Sequence, residues 1–425
     1  MNGACGEHQR DRMTGDKAKV MRRVKRLVSG SAIFFLAACG QFVTPDEPGR
    51  DAIGLQVSTQ LPPRPDDHPG PYKISRGTGC SLWHHFPSGE ENIECSGAPR
   101  DFIAVTVAFA TDREKAGPST FGSTRSSAIS YGNVDVSIPR DHRMGRLETP
   151  SWWHLRFEQE PQFDVMVLRT RNMSSAEFFS TLRTDVSKAP TKSLLVFVHG
   201  FNVGFQDAAR RTAQMAYDLG FKGIPVFFSW PSQDQLVSYM ADEQAIVDTE
   251  PHLLQFLRDV LKQSGADNIY LIAHSMGTRG LTHALMALAQ TDVKEVRRIK
   301  EVILAAPDIG AIEFNEQIAP ALRTLGAPIT LYASSNDRAL AASKRLHGGA
   351  RAGESGEHLI VTNGIETVDA SDTDTDLIGH SYYGDRRSVL ADMWYLINGQ
   401  LPAAKRCCLQ GKPSQDAPKY WVFVK

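Results

Sequence analysis

The sequence predicts an α/β fold, a mainly parallel central sheet with helices on both faces. Three observations predict it. Continuous apolar runs recur at Leu194–Val198, Ile224–Phe228, Ile269–Ala273, Val302–Ala306 and Ile329–Ala333, the composition of short strands buried on both sides. The segments between them carry apolar residues at helical spacing, as in Phe205, Ala208, Ala209, Ala213, Ala216 and Leu219, so strands alternate with helices and the connections must cross over. The third run leads directly into His274-Ser275-Met276-Gly277 and then a further helix with Leu281, Leu285 and Leu288 on one stripe, a sharp strand–turn–helix junction.

The elements follow in chain order. Met21-Arg22-Arg23-Val24-Lys25-Arg26 is basic, Leu27 to Ala38 is apolar and small, and Leu36-Ala37-Ala38-Cys39 ends the stretch. A basic segment, a short apolar core and small residues before a cut describe a secretory signal, with Met21 rather than Met1 as the expected start. A Cys directly after Leu-Ala-Ala resembles the bacterial lipoprotein signal. That resemblance implies removal of residues 1–38, acylation of Cys39, and a membrane-anchored location in the bacterial cell envelope, facing the periplasm or the exterior. In such an oxidising compartment Cys80 and Cys95 become candidates for a disulfide. Residues 39–100 are rich in Pro, Gly, Asp and Ser and read as a flexible tether. Residues 101–400 form the main domain and 401–425 a C-terminal tail.

Within the domain, Phe102–Phe109 reads as a strand, 111–160 as hairpin or loop, and Phe163–Leu168 as another strand. A helical region from about Ser238 to Lys262 is expected to break or restart near Pro251. Residues 365–369 read as the last strand and Ser388–Ile397 as the last helix. Only 20 residues separate Asp308 from Ile329, too few for a large cap domain. Lys and Arg total 47 against 48 Asp and Glu, a formal net charge of -1, which speaks against nucleic acid as a partner. No apolar run reaches the length of a membrane-spanning helix. Nothing in the sequence fixes the oligomeric state.

The chemistry centres on Ser275. A serine on a tight turn between a buried strand and a helix is the context of a nucleophile elbow, and Gly277 is needed where helix and strand approach closely. Ala273 stands where the usual Gly-x-Ser-x-Gly pattern has its first Gly, and is small enough to serve. His199-Gly200-Phe201-Asn202 follows the first buried run, so the backbone N–H groups of Phe201 and Met276 are the expected oxyanion donors; His199 itself is expected to be structural. The fold then requires an acid and a histidine, in that order. Asp337, just beyond the run 329–333, is the favoured acid, with Asp308 as the alternative. His380, after the presumed last strand, is the favoured base, ahead of His347 and His358. Together these define an α/β-hydrolase fold with a Ser275–Asp337–His380 triad, cleaving carboxylic esters through an acyl-enzyme. No cofactor and no metal are expected. The substrate would be a small-molecule or lipid ester. An acyltransferase on the same triad, or a non-catalytic binding lipoprotein on this fold, are the alternatives.

Five stretches carry a resemblance: His199-Gly-Phe-Asn202, Phe227-Phe-Ser-Trp-Pro231, Ala273-His-Ser-Met-Gly277, Ala305-Ala-Pro-Asp308 and Tyr332-Ala-Ser-Ser-Asn-Asp-Arg338, together with Ala108-Phe-Ala-Thr-Asp-Arg113 as a first strand. In combination the chain resembles a bacterial family of uncharacterised α/β-hydrolases predicted to be serine esterases, over about residues 102–400. The resemblance implies fold and triad and says little of substrate.

Overall fold

The computed structural model describes residues 73–74, 102–149, 159–233, 238–335, 338–372, 389–414 and 418–424. All of them fall in one unit, Gln56–Lys425. Its strands are β1 (Lys73–Ile74), β2 (Phe102–Lys115), β3 (Phe121–Pro139), β4 (Val167–Met173), β5 (Ser193–Val198), β6 (Ile224–Ser229), β7 (Asn268–His274), β8 (Ile299–Ala305), β9 (Ile329–Ala333), β10 (Glu366–Asp369), β11 (Leu409–Lys412) and β12 (Tyr420–Phe423). Its helices are α1 (Ser175–Lys188), α2 (Phe205–Asp218), α3 (Tyr239–Gln263), α4 (Gly277–Thr291), α5 (Ala311–Glu313), α6 (Ala319–Arg323), α7 (Arg338–His347) and α8 (Val389–Gly399).

The strands form one sheet in the order β11-β12-β10-β9-β8-β7-β5-β6-β2-β3-β4, with β1 added to β2. The centre, from β10 to β2, is parallel throughout. Antiparallel pairs lie at the margins, where β2, β3 and β4 form a meander and β11 returns along β12. The predicted α/β-hydrolase fold, a mainly parallel sheet between two layers of helices, is present.

Side chains alternate across each strand, and the core divides accordingly. Leu194, Val196 and Val198 of β5 join one cluster with Leu182, Phe256, Leu281 and Leu285, from α1, α3 and α4. Leu195 and Phe197 join a second with Ala209, Ala213, Met393 and Leu396, from α2 and α8. A strand buried on both faces cannot alternate in polarity, which is why β5 reads as an unbroken apolar run.

The structure departs from expectation in several places. Residues 121–139, read as hairpin or loop, are a 19-residue strand paired along most of β2. Its first half is only partly buried and largely polar, which hid it. Helix α1 was not anticipated, although Ser174 and Glu177 carry a start signal: the Ser174 hydroxyl accepts from the Glu177 N–H at 3.2 Å. Pro251 does not interrupt α3, which is continuous through it. Pro251 and Val247, whose carbonyl loses its N–H partner, both face solvent, so the unpaired acceptor lies on the wet side. The strand at 366–369 is not the edge: β12 pairs in parallel with it, and the segment after residue 400 thus supplies two strands.

Candidate active site

Strand β5 leads to β6 on one side, while β7 lies on its other side. The chain leaving β5 and the chain leaving β7 therefore diverge, and a crevice opens at their C-terminal ends. Among the described residues, three of the five non-glycine residues with positive φ sit at this edge: Asn202 at 58°, Ser275 at 48° and Ala306 at 47°, beyond β5, β7 and β8. Left-handed backbone costs about 1–2 kcal/mol at a residue with a Cβ, so this edge concentrates strain in the way functional sites do.

The turn at Ser275 is locked by its neighbours. Its N–H donates to the Ala305 carbonyl at 2.9 Å, and its carbonyl accepts from the N–H groups of Thr278 at 3.0 Å and Asp308 at 3.3 Å. The Thr278 hydroxyl adds a bond at 2.6 Å. A Cβ on Gly277 would lie 2.2 Å from the His199 carbonyl oxygen, and one on Gly200 would lie 3.0 Å from the Ser275 Cβ. The two loops thus touch backbone to backbone, and Gly277 is required by that contact. Met276 caps the start of α4, so its N–H is among the helix-start groups without an intrahelical acceptor.

The loop after β5 is organised by His199, which is fully buried. Its ring stacks on Trp230 with centroids 5.1 Å apart, and the Trp230 indole N–H donates to the His199 carbonyl at 2.7 Å. Burial, reinforced by the charge of Arg113, pushes its pKa down to about 3, so the imidazole is neutral at pH 7. Nδ1 lies 2.8 Å from the Gly200 carbonyl oxygen. A carbonyl only accepts, so Nδ1 carries the hydrogen. In a planar trans peptide the C=O and the following N–H point in opposite directions. Holding the Gly200 carbonyl beneath His199 therefore turns the Phe201 N–H the other way. Both ring nitrogens of His199 are thus engaged within the loop, by the Gly200 carbonyl and by Ser229 Oγ. The Phe201 ring packs on Tyr239 at 5.3 Å.

Asp308 lies in a dense charged cluster beside this edge. Its carboxylate accepts from Ser343 Oγ at 2.6 Å, Arg351 Nε at 2.8 Å and the Tyr239 hydroxyl, with Arg279 Nη2 at 3.6 Å. Burial works to raise its pKa, but Arg279 and Arg351 outweigh that and hold it below the usual range. Glu243 bridges Arg279 and His347 Nε2, the latter at 2.8 Å. Burial hid Tyr239, Arg279 and Arg351 from sequence reading, because no local pattern marks a charge whose partner is 29 or more residues away. His358 lies in a short 3-10 turn. Asp337 and His380 lie outside the described residues, as do Cys39, Cys80 and Cys95. No group of three or more His, Cys, Asp or Glu side chains suited to a metal ion occurs among the described residues.

A parallel sheet with a strained serine between its central strand and a helix defines an α/β-hydrolase. The chain belongs to the family described as "Alpha/beta hydrolase of unknown function (DUF900)", whose model matches residues 174–398. Among solved structures it is similar to esterase B from Lactobacillus rhamnosis, at 14% identity and a TM-score of 0.28 over 49% of this chain and 78% of that one. It is also similar to alpha/beta hydrolase domain-containing protein 10 from mouse, at 11% identity and a TM-score of 0.29 over 50% of this chain and 90% of that one. A third is Thermogutta terrifontis esterase 2, at 14% identity and a TM-score of 0.28 over 50% and 86%. Likeness at this level carries no argument about substrate. No curated protein matches the chain.

Proposed function

We propose that the protein is a serine hydrolase that cleaves carboxylic esters, with Ser275 as nucleophile. The observation that carries this reading is the left-handed backbone of Ser275, at φ 48°, held by four hydrogen bonds at the start of α4. A serine that merely capped a helix would sit in the extended region. Here the strain lifts the side chain out of the sheet toward the crevice.

In the mechanism, Ser275 Oγ attacks the ester carbonyl while His380 takes its proton, and Asp337 orients the imidazole. The N–H groups of Phe201 and Met276 receive the developing oxyanion. The alcohol leaves with the proton returned by His380, and water activated by the same histidine releases the acid. The engagement of Asp308 by Arg279, Arg351, Ser343 and Tyr239 favours Asp337 as the acid, because those partners leave Asp308 to secure its own loop.

The test is labelling of the full-length protein, in mild detergent, with a fluorophosphonate, followed by peptide mass spectrometry. The expected result is a stoichiometric adduct on Ser275 that is lost in Ser275→Ala and at least 100-fold slower in His380→Ala. Absence of labelling in a folded sample overturns the reading. The amino-terminal sequence supports membrane attachment through acylated Cys39; Cys39→Ser should then move the protein from the membrane pellet to the soluble fraction.

A further inference from the structure

We infer that Arg113 is a positioning residue for the oxyanion loop, acting through Ser229 and His199 to fix the direction of the Phe201 N–H. The inference rests on the hydrolase reading above for its functional meaning, and on geometry for its physical content.

Arg113 lies near the C-terminal end of β2, at 2% exposure. Its guanidinium is a rigid fork of donors, and each arm meets a different segment. Nε donates to Ser229 Oγ at 2.8 Å. Nη1 donates to the carbonyls of Ser232 at 3.0 Å and Gly122 at 2.9 Å. Nη2 donates to the Val203 carbonyl at 2.7 Å. One side chain thus ties together β3, the turn after β6, and the loop after β5.

The chain of hydrogen bonds has a fixed polarity. Ser229 Oγ accepts from Arg113, so its own hydrogen is available to His199 Nε2 at 3.1 Å. Because His199 is neutral with its hydrogen on Nδ1, Nε2 is an acceptor and matches that hydroxyl. The imidazole then donates to the Gly200 carbonyl, and the peptide plane carries the orientation to Phe201 N–H. The positive charge of Arg113 also disfavours a second proton on His199; such a proton would face the Ser229 hydroxyl hydrogen and break the relay.

A second branch holds the far side of the loop. The Val203 N–H donates to Ser232 Oγ at 3.3 Å, and Ser232 donates in turn to Asp242. Asp242 also accepts from the Gln233 N–H at 2.8 Å and from the Asn202 backbone. Asn202, at φ 58°, is therefore clamped on both sides, by His199–Gly200 before it and by Val203 after it. A loop that must present one N–H without reorganising needs such fixed supports.

A purely structural Arg113 would alter stability alone. A positioning Arg113 must alter the order of the loop and the turnover step. The experiment compares the full-length wild type with Arg113→Lys and Ser229→Ala, by amide hydrogen exchange of peptides covering 199–204 and by hydrolysis of p-nitrophenyl butyrate. In Arg113→Lys, exchange in 199–204 should rise at least 10-fold while the β7 and β8 peptides keep wild-type protection. The kcat should fall roughly 100-fold with KM within about twofold, since a displaced donor is felt mainly in the transition state. Ser229→Ala should show the same pattern more weakly. A folded variant with wild-type exchange in 199–204, or with kcat within about twofold of wild type, overturns the proposal; if Arg113→Lys does not fold, Ser229→Ala decides by the same criteria. If wild-type protein forms no adduct on Ser275, the hydrolase reading falls, and the exchange measurement still decides whether Arg113 orders the loop.

Discussion

His199 and His142 are both almost completely buried, yet they are held in opposite charge states. His199 faces a carbonyl, a hydroxyl and an indole, with Arg113 nearby, and its pKa is pushed down to about 3. His142 lies in the turn after β3, with Nδ1 2.8 Å from Glu148 and Nε2 2.9 Å from Asp218. Burial works to lower its pKa, but Asp218 and Glu148 outweigh this and raise it to about 10. Desolvation acts in the same direction on both rings. The partners decide the outcome. At the loop after β5 a neutral ring serves as a directional link between donor and acceptor. At the 140–149 turn a charged ring fastens the segment to the end of α2, where Asp218 also accepts from the Gly145 N–H at 2.6 Å.

The comparison can be broken most severely at His142. Replacing it by Asn removes the cation held between Glu148 and Asp218. The expected cost is about 3–5 kcal/mol, measured as the loss of unfolding free energy in urea. At His199 the main expected effect is on chemistry: His199→Phe keeps the stack on Trp230 but frees the Gly200 carbonyl, and fluorophosphonate labelling of Ser275 should slow roughly 100-fold. A drop as small as twofold would mean that the loop holds its shape without the imidazole.

The pH dependence separates the two rings further. The His142 pKa is higher folded than unfolded, so its contribution is complete below about pH 6.5 and is lost as pH rises toward 10. Each such proton changes stability by about 1.4 kcal/mol per pH unit inside that window. For His199 the folded pKa is the lower one, so its contribution is complete above about pH 6.5 and is lost as pH falls toward 3. Imidazole titration by NMR should find one ring still charged at pH 9 and another still neutral at pH 5. A smaller loss than at His142 is expected for Trp230→Phe, which removes the donor to the His199 carbonyl and leaves a cavity beside the smaller ring where the fully buried indole stood, at a cost of about 2 kcal/mol in a urea titration.

The two environments differ in how far the sequence reveals them. His199 is flagged by its place directly after β5 and before Gly200, because a local rule of this fold attaches meaning to that position. Nothing local marks His142. Its partner Asp218 is 76 residues away, and Glu148 six residues on reads as an ordinary surface acid. The same contrast runs through the site. Ser275, Gly277 and Gly200 are legible because the turn chemistry is encoded in adjacent residues. Arg113 reads in the sequence only as part of a strand motif, since its acceptors Ser229, Ser232 and Val203 come from strands and loops that meet only when the sheet forms. The half-buried first half of β3 is illegible for a related reason: its partner β2 supplies the pairing, and its own residues alternate too weakly.

The sequence by itself determined the parallel centre of the sheet, the alternation of strands and helices through that centre, and the serine turn. Each follows from interactions between near neighbours: side-chain periodicity, the needs of a buried backbone and the strain a short turn imposes. Only the tertiary structure decided which buried charges meet, which histidine carries a proton, and what holds the loop after β5. Those depend on distances between residues remote in the chain, and electrostatic energies in a buried setting change sign with the partner that arrives.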